Sequence, residues 1–247
     1  MLSTKKLNKR FGSLVVAKDI ALDLPRGVRY ALIGPNGAGK TTLINLMTGM
    51  LRPDSGQIFL GGKELTSLRP EARVRQGLAR TFQINTLFPK LTALESVALA
   101  VLERIGISRV WHKSLPAYRE AIDEAHGILV SLSLKAVANR LTRELPYGQQ
   151  RLLEIALALA TKPRVLLLDE PAAGVPKDES AELFGAISGL SSDLTVLFIE
   201  HDMDVVFRFA SRILVMVGGR ILVEGSPEEI ARNHEVREVY LGKARHG

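Results

Sequence analysis

A glycine-rich stretch between an apolar strand pattern and a helical pattern constrains this chain more than any other feature. It reads GPNGAGKTT over residues 34–42 and satisfies the phosphate-loop pattern. Its glycines let the backbone curl so that successive N–H groups face a phosphate at a helix N-terminus. We expect Lys40 to reach the β- and γ-phosphates of a nucleotide and the Thr41 hydroxyl to ligate magnesium. The predicted nucleotide-binding residues are Gly34, Pro35, Asn36, Gly37, Ala38, Gly39, Lys40, Thr41 and Thr42.

Other interpretations of this stretch fit less well. A flexible glycine turn would not require lysine and threonine at these positions. A dinucleotide-binding G-x-G-x-x-G motif does not match the spacing, which disfavours a nicotinamide-dependent enzyme.

Strand and helix patterns alternate through the second half of the chain. Val165–Asp169 and residues 194–199 are nearly all apolar, as in strands buried on both faces. This alternation predicts an α/β fold whose parallel sheet is covered by helices on both faces. Further elements of this core are a strand over residues 28–33 and helices over 39–50, 148–160, 177–190 and from Met203.

The two ends of the chain and its middle have different patterns. The first third predicts antiparallel strands over residues 3–7, Leu14–Leu24 and 57–60. Helical spacing over residues 91–141 predicts a helical subdomain that spans roughly 91–160. Near the C-terminus, Gly218-Gly219 between two apolar runs is a two-residue hairpin signal. We expect one domain over residues 1–247, closed by short helices at 227–231 and 236–240, within roughly 226–242.

Composition narrows the class of protein. The formal charge of +7 and pI near 9.8 would suit a polyanionic partner, but Lys and Arg are scattered, without an aromatic-interleaved basic run. We therefore expect a solvated basic surface and no nucleic-acid partner. The apolar runs are far shorter than the roughly 20 residues of a membrane span, and no secretory signal pattern is present. The absence of cysteine excludes disulfides and cysteine zinc sites.

Two carboxylates follow the apolar run that precedes Pro171. Asp169 ends the predicted strand, and we expect it to lie beside the phosphate loop and to hold magnesium through water. Glu170 is then one residue further into the cleft, where a carboxylate can orient and deprotonate the attacking water. The alternative role for Glu170 is a salt bridge or a helix cap.

Three more residues are candidates for contacts with the nucleotide or its magnesium ion, although their sequence signals are weaker. His201 follows the strand over residues 194–199 and so emerges at the same sheet edge, where it could contact the γ-phosphate. Gln83 could place an amide oxygen on magnesium, although a loop glutamine is ordinarily a surface residue. Phe11 is either a core residue or a stacking platform for adenine.

Taken together, GPNGAGKTT, TFQ, LPYGQQR, LLLDEP and IEHD, in this order, resemble the ATP-binding cassette of ABC transporters along the whole chain. The resemblance implies a P-loop ATPase with a RecA-like core, an antiparallel β subdomain and a helical subdomain. It also implies two cassettes that close head to tail over two ATP molecules with Mg²⁺. On this template Phe11 stacks on adenine, Gln83 joins magnesium to the transmembrane partner and His201 is the switch histidine.

A closer resemblance is to the ATPase subunit of branched-chain amino acid importers, the LivG-like type. It is carried by RQGLARTFQINTLFPKLTALESV, LPYGQQRLLEIALALA, LFIEHDMDVV and EGSPEEI followed by VYLG. This resemblance implies two permease subunits, a second ATPase subunit and, indirectly, an extracytoplasmic solute-binding protein. It favours a heterodimer of ATPase subunits over a homodimer, and a location on the cytoplasmic face of the membrane. Urea, amides or aromatic acids are alternative transported solutes.

The chain departs from the family pattern at the signature. LPYGQQR aligns with LSGGQ, so Gly148 and Gln149 match, Pro146 replaces serine and Tyr147 replaces a glycine. On the template, Pro146, Tyr147, Gly148 and Gln149 face the ATP of the opposite cassette. Pro146 removes a hydroxyl and an N–H donor, so we expect that half-site to be weaker.

Two other regions carry expectations from the same resemblance. The D-loop usually contains aspartate or asparagine, whereas this chain has Pro176 there, which puts communication through that residue in doubt. Leu87 and Phe88 would either line the groove for a permease coupling helix or belong to the core.

Two different classes of protein remain as alternatives. A soluble cassette protein acting on DNA or ribosomes usually carries two cassettes or long coiled-coil insertions, and this chain has neither. A phosphate-loop kinase or GTPase is disfavoured because the sequence has no N-K-x-D guanine motif and has LPYGQQR together with LLLDEP.

Overall fold

The computed structural model describes residues 1–81, 87–107 and 118–241. Within these residues the centre of the molecule is a six-stranded sheet in the order β10-β9-β3-β8-β7-β6. All neighbouring strands pair in parallel except β9 and β10, which form the hairpin predicted around Gly218-Gly219. The six strands are β3 Arg29–Ile33, β6 Leu78–Arg80, β7 Val165–Asp169, β8 Thr195–Ile199, β9 Arg212–Val217 and β10 Arg220–Gly225. The predicted α/β fold with a parallel sheet is confirmed.

A second, antiparallel sheet follows the order β2-β1-β4-β5. The strand predicted over residues 3–7 is too short, because register shifts after Thr4 and Leu7 let pairing with β2 continue through the polar residues to Phe11. Its strands are β1 Leu2–Phe11, β2 Leu14–Leu24, β4 Ser55–Leu60 and β5 Lys63–Glu64. The bounds predicted for β2 are those observed.

The helices cover both faces of the parallel sheet. The helix predicted over residues 39–50 ends earlier, because Gly49 adopts a left-handed conformation that terminates it. Within the described residues the helices are α1 Lys40–Thr48, α2 Pro70–Arg75, α3 Ala93–Arg104, α4 Arg119–Ser131, α5 Tyr147–Leu159, α6 Lys177–Ser188, α7 Met203–Phe209, α8 Pro227–Arg232 and α9 His234–Leu241. None of them has the length and apolar character that a bilayer span requires.

Two hydrophobic cores lie on opposite faces of the parallel sheet. Side chains alternate along each strand, so Leu166 and Leu168 of β7 pack in one core while Val165 and Leu167 pack in the other. The first core lies under α3, α4, α5 and α6, and the second lies between α1 and the antiparallel sheet. Burial on both faces explains why the strands read as continuous apolar runs.

A buried arginine connects the end of α1 to α2. Arg73 is 1% exposed, and its guanidinium donates to the carbonyl oxygens of Leu46 and Met47 at 2.7 Å each. It also donates to Leu68 and Thr66, at 3.0 and 2.9 Å. Burial lowers the pKa of Arg73. The last carbonyl groups of α1 are thus satisfied by a charged side chain rather than by water.

Candidate functional site

The phosphate loop leaves the carboxyl end of β3 and leads directly into α1. Gly39 has φ 102°, and a Cβ there would collide with the carbonyl oxygen of Val16. A Cβ at Gly34 would collide with the carbonyl oxygen of Met216. The backbone of the loop is therefore packed too closely for side chains at these two positions. The amides at the start of α1 lie at a helix N-terminus, where the geometry suits an anion.

Lys40 lies over the phosphate loop. Its ammonium group donates to the carbonyl oxygens of Gly34 at 2.8 Å and Pro35 at 3.2 Å. Burial lowers the pKa of Lys40, and the carboxylates of Glu170 and Asp169 oppose this effect. The cation, the loop and both predicted carboxylates therefore share one environment.

Asp169 ends β7 and is held by an arginine that sequence reasoning missed. Arg80, at the end of β6, donates to Asp169 Oδ2 at 2.8 Å and to Asn45 Oδ1 at 2.6 Å. Burial raises the pKa of Asp169, and attraction to Arg80 opposes the shift. One carboxylate oxygen is thus fixed from the neighbouring strand. The only available signal was the RTFQ stretch, in which Arg80 immediately precedes Thr81.

Glu170 begins a tight turn immediately after β7. Its backbone has φ 49°, which is uncommon for a residue other than glycine. Its amide donates to the carbonyl oxygen of Ile199 at 3.1 Å, and its own carbonyl accepts from the amide of Ala173 at 3.0 Å. These two bonds hold the turn that positions the carboxylate beside the cleft.

A cleft of about 490 Å³ brings part of the predicted site together. Thr41, Asp169 and Glu170 line it, as do Arg80 and Arg151. Its lining does not include Phe11, His201 or the four signature residues 146–149. The structure therefore places Thr41, Asp169 and Glu170 in one cleft, whereas Phe11, His201 and residues 146–149 lie outside its lining.

His201 lies next to a buried acid that the sequence did not point to. Its side chain is 74% exposed, whereas that of Glu200 is 2% exposed. The Glu200 carboxylate accepts from the amides of Ala172 at 3.1 Å and His201 at 3.3 Å. Burial raises the pKa of Glu200, and these two amides oppose the shift. Glu200 thereby connects the turn after Glu170 to the backbone of His201.

Three expectations about loop residues have different outcomes. The core interpretation of Phe11 is wrong: its side chain is 51% exposed, because it lies at the β1–β2 turn with the Lys9 ammonium 5.6 Å from the ring centre. Gln83 lies outside the described residues. Leu87 is partly buried against the first core, as the core alternative predicts, whereas Phe88 is 52% exposed, so the core alternative is wrong for that residue.

The signature forms the N-terminus of α5. The helix begins at Tyr147 and not after Gly148, because Pro146, with φ −53°, takes the N-cap position and leads directly into the helix. Tyr147 is 40% exposed, and its hydroxyl donates to the carbonyl oxygen of Ala173 at 3.1 Å. Ala173 lines the cleft, so the signature contacts the wall of the site through a side chain.

Comparison with known proteins identifies the chain. The sequence profile described as ABC transporter matches residues 17–173, more than half of the chain. The chain belongs to the ABC transporter family of ATP-binding cassettes. A second profile, described as branched-chain amino acid ATP-binding cassette transporter, matches residues 220–246 of the cassette.

Curated relatives and a solved structure match the cassette over nearly its whole length. The high-affinity branched-chain amino acid transport ATP-binding protein LivG of Escherichia coli is 40% identical, over 99% of this chain and 98% of its own. BraF of Pseudomonas aeruginosa, described in the same words, is 39% identical, with the same coverage. A solved ATP-binding cassette of an ABC transporter in its ADP conformation gives a TM-score of 0.86 at 32% identity, over 98% of both chains. The chain of 247 residues is accordingly an ATPase that binds adenine nucleotide.

Proposed function

We propose that this cassette hydrolyses ATP to drive uptake of branched-chain amino acids through an ABC importer. The observation that carries the substrate class is the match of residues 220–246 to the branched-chain amino acid profile. The full-length similarity to LivG and BraF supports the same assignment. The geometry supports the ATPase part, since a phosphate loop, Lys40 and two carboxylates share one sheet edge.

The nucleotide is held by the phosphate loop. Backbone N–H groups of the phosphate loop bind the phosphates, Lys40 neutralises the β- and γ-phosphates, and the exposed ring of Phe11 stacks on adenine. Release of Lys40 from the carbonyls of Gly34 and Pro35 accompanies phosphate binding.

Magnesium fits the donors that the chain offers at this edge. No group of three or more metal-binding side chains lies close together in the part of the chain that the structure describes. Mg²⁺ usually keeps several waters and takes one or two carboxylates plus phosphate oxygens. The Thr41 hydroxyl and Asp169 would supply such a partial set, and Gln83, the third expected ligand, lies outside the described residues. When bound, the ion would neutralise negative charge on the phosphates.

The water that attacks the γ-phosphate is activated by Glu170. Glu170 has a left-handed backbone and lines the cleft that Thr41 and Asp169 also line. General-base catalysis of this kind contributes about 10²- to 10⁴-fold in rate. His201 hydrogen-bonds to the γ-phosphate when that group is present, and Glu200 orients its backbone.

The working assembly contains more than this chain. Two permease subunits carry the solute across the membrane, and a second ATPase subunit closes head to tail on this one, so that residues 146–149 complete the partner's ATP site. A solute-binding protein outside the cell acts through the permeases. The cassette lies on the cytoplasmic face of the membrane.

The test is a reconstituted transporter. We expect proteoliposomes that contain the cassette, its partner ATPase subunit and both permeases to take up leucine-type amino acids only with Mg-ATP and the binding protein. Glu170→Gln should reduce ATP hydrolysis and uptake by about 10²- to 10⁴-fold and leave ATP binding intact. Glu182→Gln, at an exposed position of α6, is the matched control and should change neither.

Two results would overturn the proposal. ATP hydrolysis that is unaffected by Glu170→Gln removes the catalytic assignment. ATP-driven uptake of urea, amides or aromatic acids with no uptake of leucine, isoleucine or valine overturns the substrate class but leaves the ATPase assignment in place.

A further inference from the structure

The start of α5 is connected to the turn after Glu170 by side chains. The Tyr147 hydroxyl donates to the carbonyl oxygen of Ala173 at 3.1 Å and accepts from Arg151 Nη2 at 3.0 Å. Arg151 Nη2 also lies 3.5 Å from the same carbonyl oxygen. Because a phenol can donate and accept at once, one hydroxyl joins the carbonyl to the guanidinium.

The tyrosine ring also fits against this turn. A Cβ at Gly174 would lie 3.3 Å from the Tyr147 hydroxyl oxygen and 3.4 Å from the ring carbon bonded to it. The Arg151 guanidinium carbon lies over the same ring, 5.2 Å from its centre. The ring therefore contacts both the Gly174 backbone and the Arg151 cation.

Arg151 is itself fixed by a buried acid one turn further along α5. Its Nη1 donates to Glu154 Oε2 at 3.0 Å, and the side chains are 13% and 4% exposed. Residues 147, 151 and 154 are spaced by four and three, so they lie on one face of the helix. That face presents a continuous polar chain from Glu154 to the carbonyl group of Ala173.

Ala173 belongs to the same short turn as Glu170. The amide of Ala173 donates to the carbonyl oxygen of Glu170 at 3.0 Å, and the amide of Ala172 donates to Glu200. The carbonyl that Tyr147 contacts and the amide that bonds to Glu170 belong to the same residue, so a displacement of Ala173 reaches the backbone of Glu170 through one hydrogen bond. The connection runs entirely within this chain.

We propose that Tyr147 and Arg151 are positioning residues that couple the signature, which faces the partner's ATP, to Glu170 in the chain's own site. The proposal rests on the proposed function, because it assigns the two ends of this chain of contacts to two ATP sites. The tyrosine in place of the signature glycine thus supplies a side-chain connection beside a D-loop that has Pro176. Coupling between two sites is reciprocal, so nucleotide at either end shifts the other.

The first test uses the isolated full-length chain. Hydrogen–deuterium exchange of residues 170–176 should become several-fold faster in Tyr147→Phe, because the hydroxyl that holds the Ala173 carbonyl is gone. Tyr118→Phe is the matched control: its hydroxyl has no hydrogen-bond partner among the described residues, and it should leave exchange in this segment unchanged.

The second test uses the complete transporter. Tyr147→Phe should lower kcat for ATP hydrolysis about three- to tenfold, the effect of losing one hydrogen bond, with KM for ATP within about twofold of wild type. A purely structural role would lower the melting temperature of the chain without changing kcat.

The outcomes separate the two proposals. Unchanged exchange over residues 170–176 overturns the coupling, and so does a raised KM with unchanged kcat, which would make Tyr147 a simple ATP contact. If the wild-type complex has no ATPase activity, the proposed function is overturned instead. The exchange comparison still decides in that case whether Tyr147 holds the turn over residues 170–176.

Discussion

The phosphate loop and the signature both lead into a helix, yet they are held in different ways. The phosphate loop is shaped by its backbone, since glycines at 34 and 39 stand where a Cβ would collide with other main-chain atoms. The start of α5 is shaped by side chains, with Pro146 at the N-cap and Tyr147 bonded to Ala173. Backbone-defined geometry leaves a strict spacing in the sequence. Side-chain geometry depends on partners that are distant in the sequence.

The elements behind the two loops each contain a buried charged side chain, and the two charges differ in how many hydrogen-bond partners they have. At the end of α1, the Arg73 guanidinium has four carbonyl partners. On α5, Glu154 is almost as deeply buried, but only one of its oxygens accepts a bond, from Arg151, and Oε1 has no partner among the described residues. A buried charge with its full set of partners stabilises, whereas an incompletely partnered one is costly. Substitutions at the two positions should therefore have effects of opposite sign.

The largest effect is expected at the phosphate loop. Lys40→Ala removes the cation that faces the phosphates, and we expect ATP affinity to fall by at least about 100-fold, measured by calorimetry on the isolated chain. Lys63→Ala, at an exposed position of β5, is the control and should bind ATP as the wild type does. Full affinity in Lys40→Ala would remove the phosphate loop from the account.

The next effect is expected at the far end of α1. Arg73→Ala removes the donor to four carbonyl groups, two of them buried, and we expect a loss of about 3 kcal/mol in the free energy of unfolding. The melting temperature should fall by about 6–12 °C. Arg75→Ala, two residues away on an exposed position, should shift it by far less. Equal shifts for the two variants would show that the buried guanidinium does not hold α1.

Substitution of Glu154 should increase the stability of the chain rather than decrease it, and the size of this effect should depend on pH. Burial raises the pKa of Glu154 to about 7, and Arg151 opposes this only in part. The folded state therefore binds more protons than the unfolded state between about pH 4.5 and pH 7, so this group makes stability fall as the pH rises through that window.

Glu154→Gln should remove that dependence. We subtract the free energy of unfolding of the wild type from that of the variant, each measured by urea denaturation. This difference should increase by about 2 kcal/mol between about pH 5 and about pH 8. The exposed Glu120→Gln on α4 provides the control, and its difference from wild type should stay constant with pH. A constant difference for Glu154→Gln as well would contradict the raised pKa.

The smallest effect is expected at the ion pair between Arg80, at the end of β6, and Asp169, at the end of β7. Burial raises the pKa of Asp169 and Arg80 opposes it, so Arg80→Gln should raise it further. The acid limb of the pH profile for kcat/KM should then move to higher pH, with a loss of only about two- to tenfold at alkaline pH, where Asp169 is ionised in either form. Arg75→Gln is the control and should leave the acid limb in place. An unshifted acid limb in Arg80→Gln would mean that Arg80 does not lower the pKa of Asp169.

Sequence reasoning succeeded where local pattern decides the structure. The bounds of β7 were predicted correctly because an apolar run ends at an acid, and the phosphate loop because its spacing is strict. It missed α2 and β6, which have six and three residues and give no periodic signal. The Arg80–Asp169 pair joins residues 89 apart in sequence, and the Tyr147–Ala173 bond joins residues 26 apart. No local pattern could indicate either contact.

The most direct test of the account is the position of nucleotide in a crystal of Glu170→Gln grown with Mg-ATP. The account predicts that the β-phosphate accepts hydrogen bonds from the amides at the start of α1, with Lys40 moved from its carbonyl partners to the phosphates and the γ-phosphate facing residue 170. Phosphates bound at another edge of the molecule, with Lys40 still on Gly34 and Pro35, would contradict it.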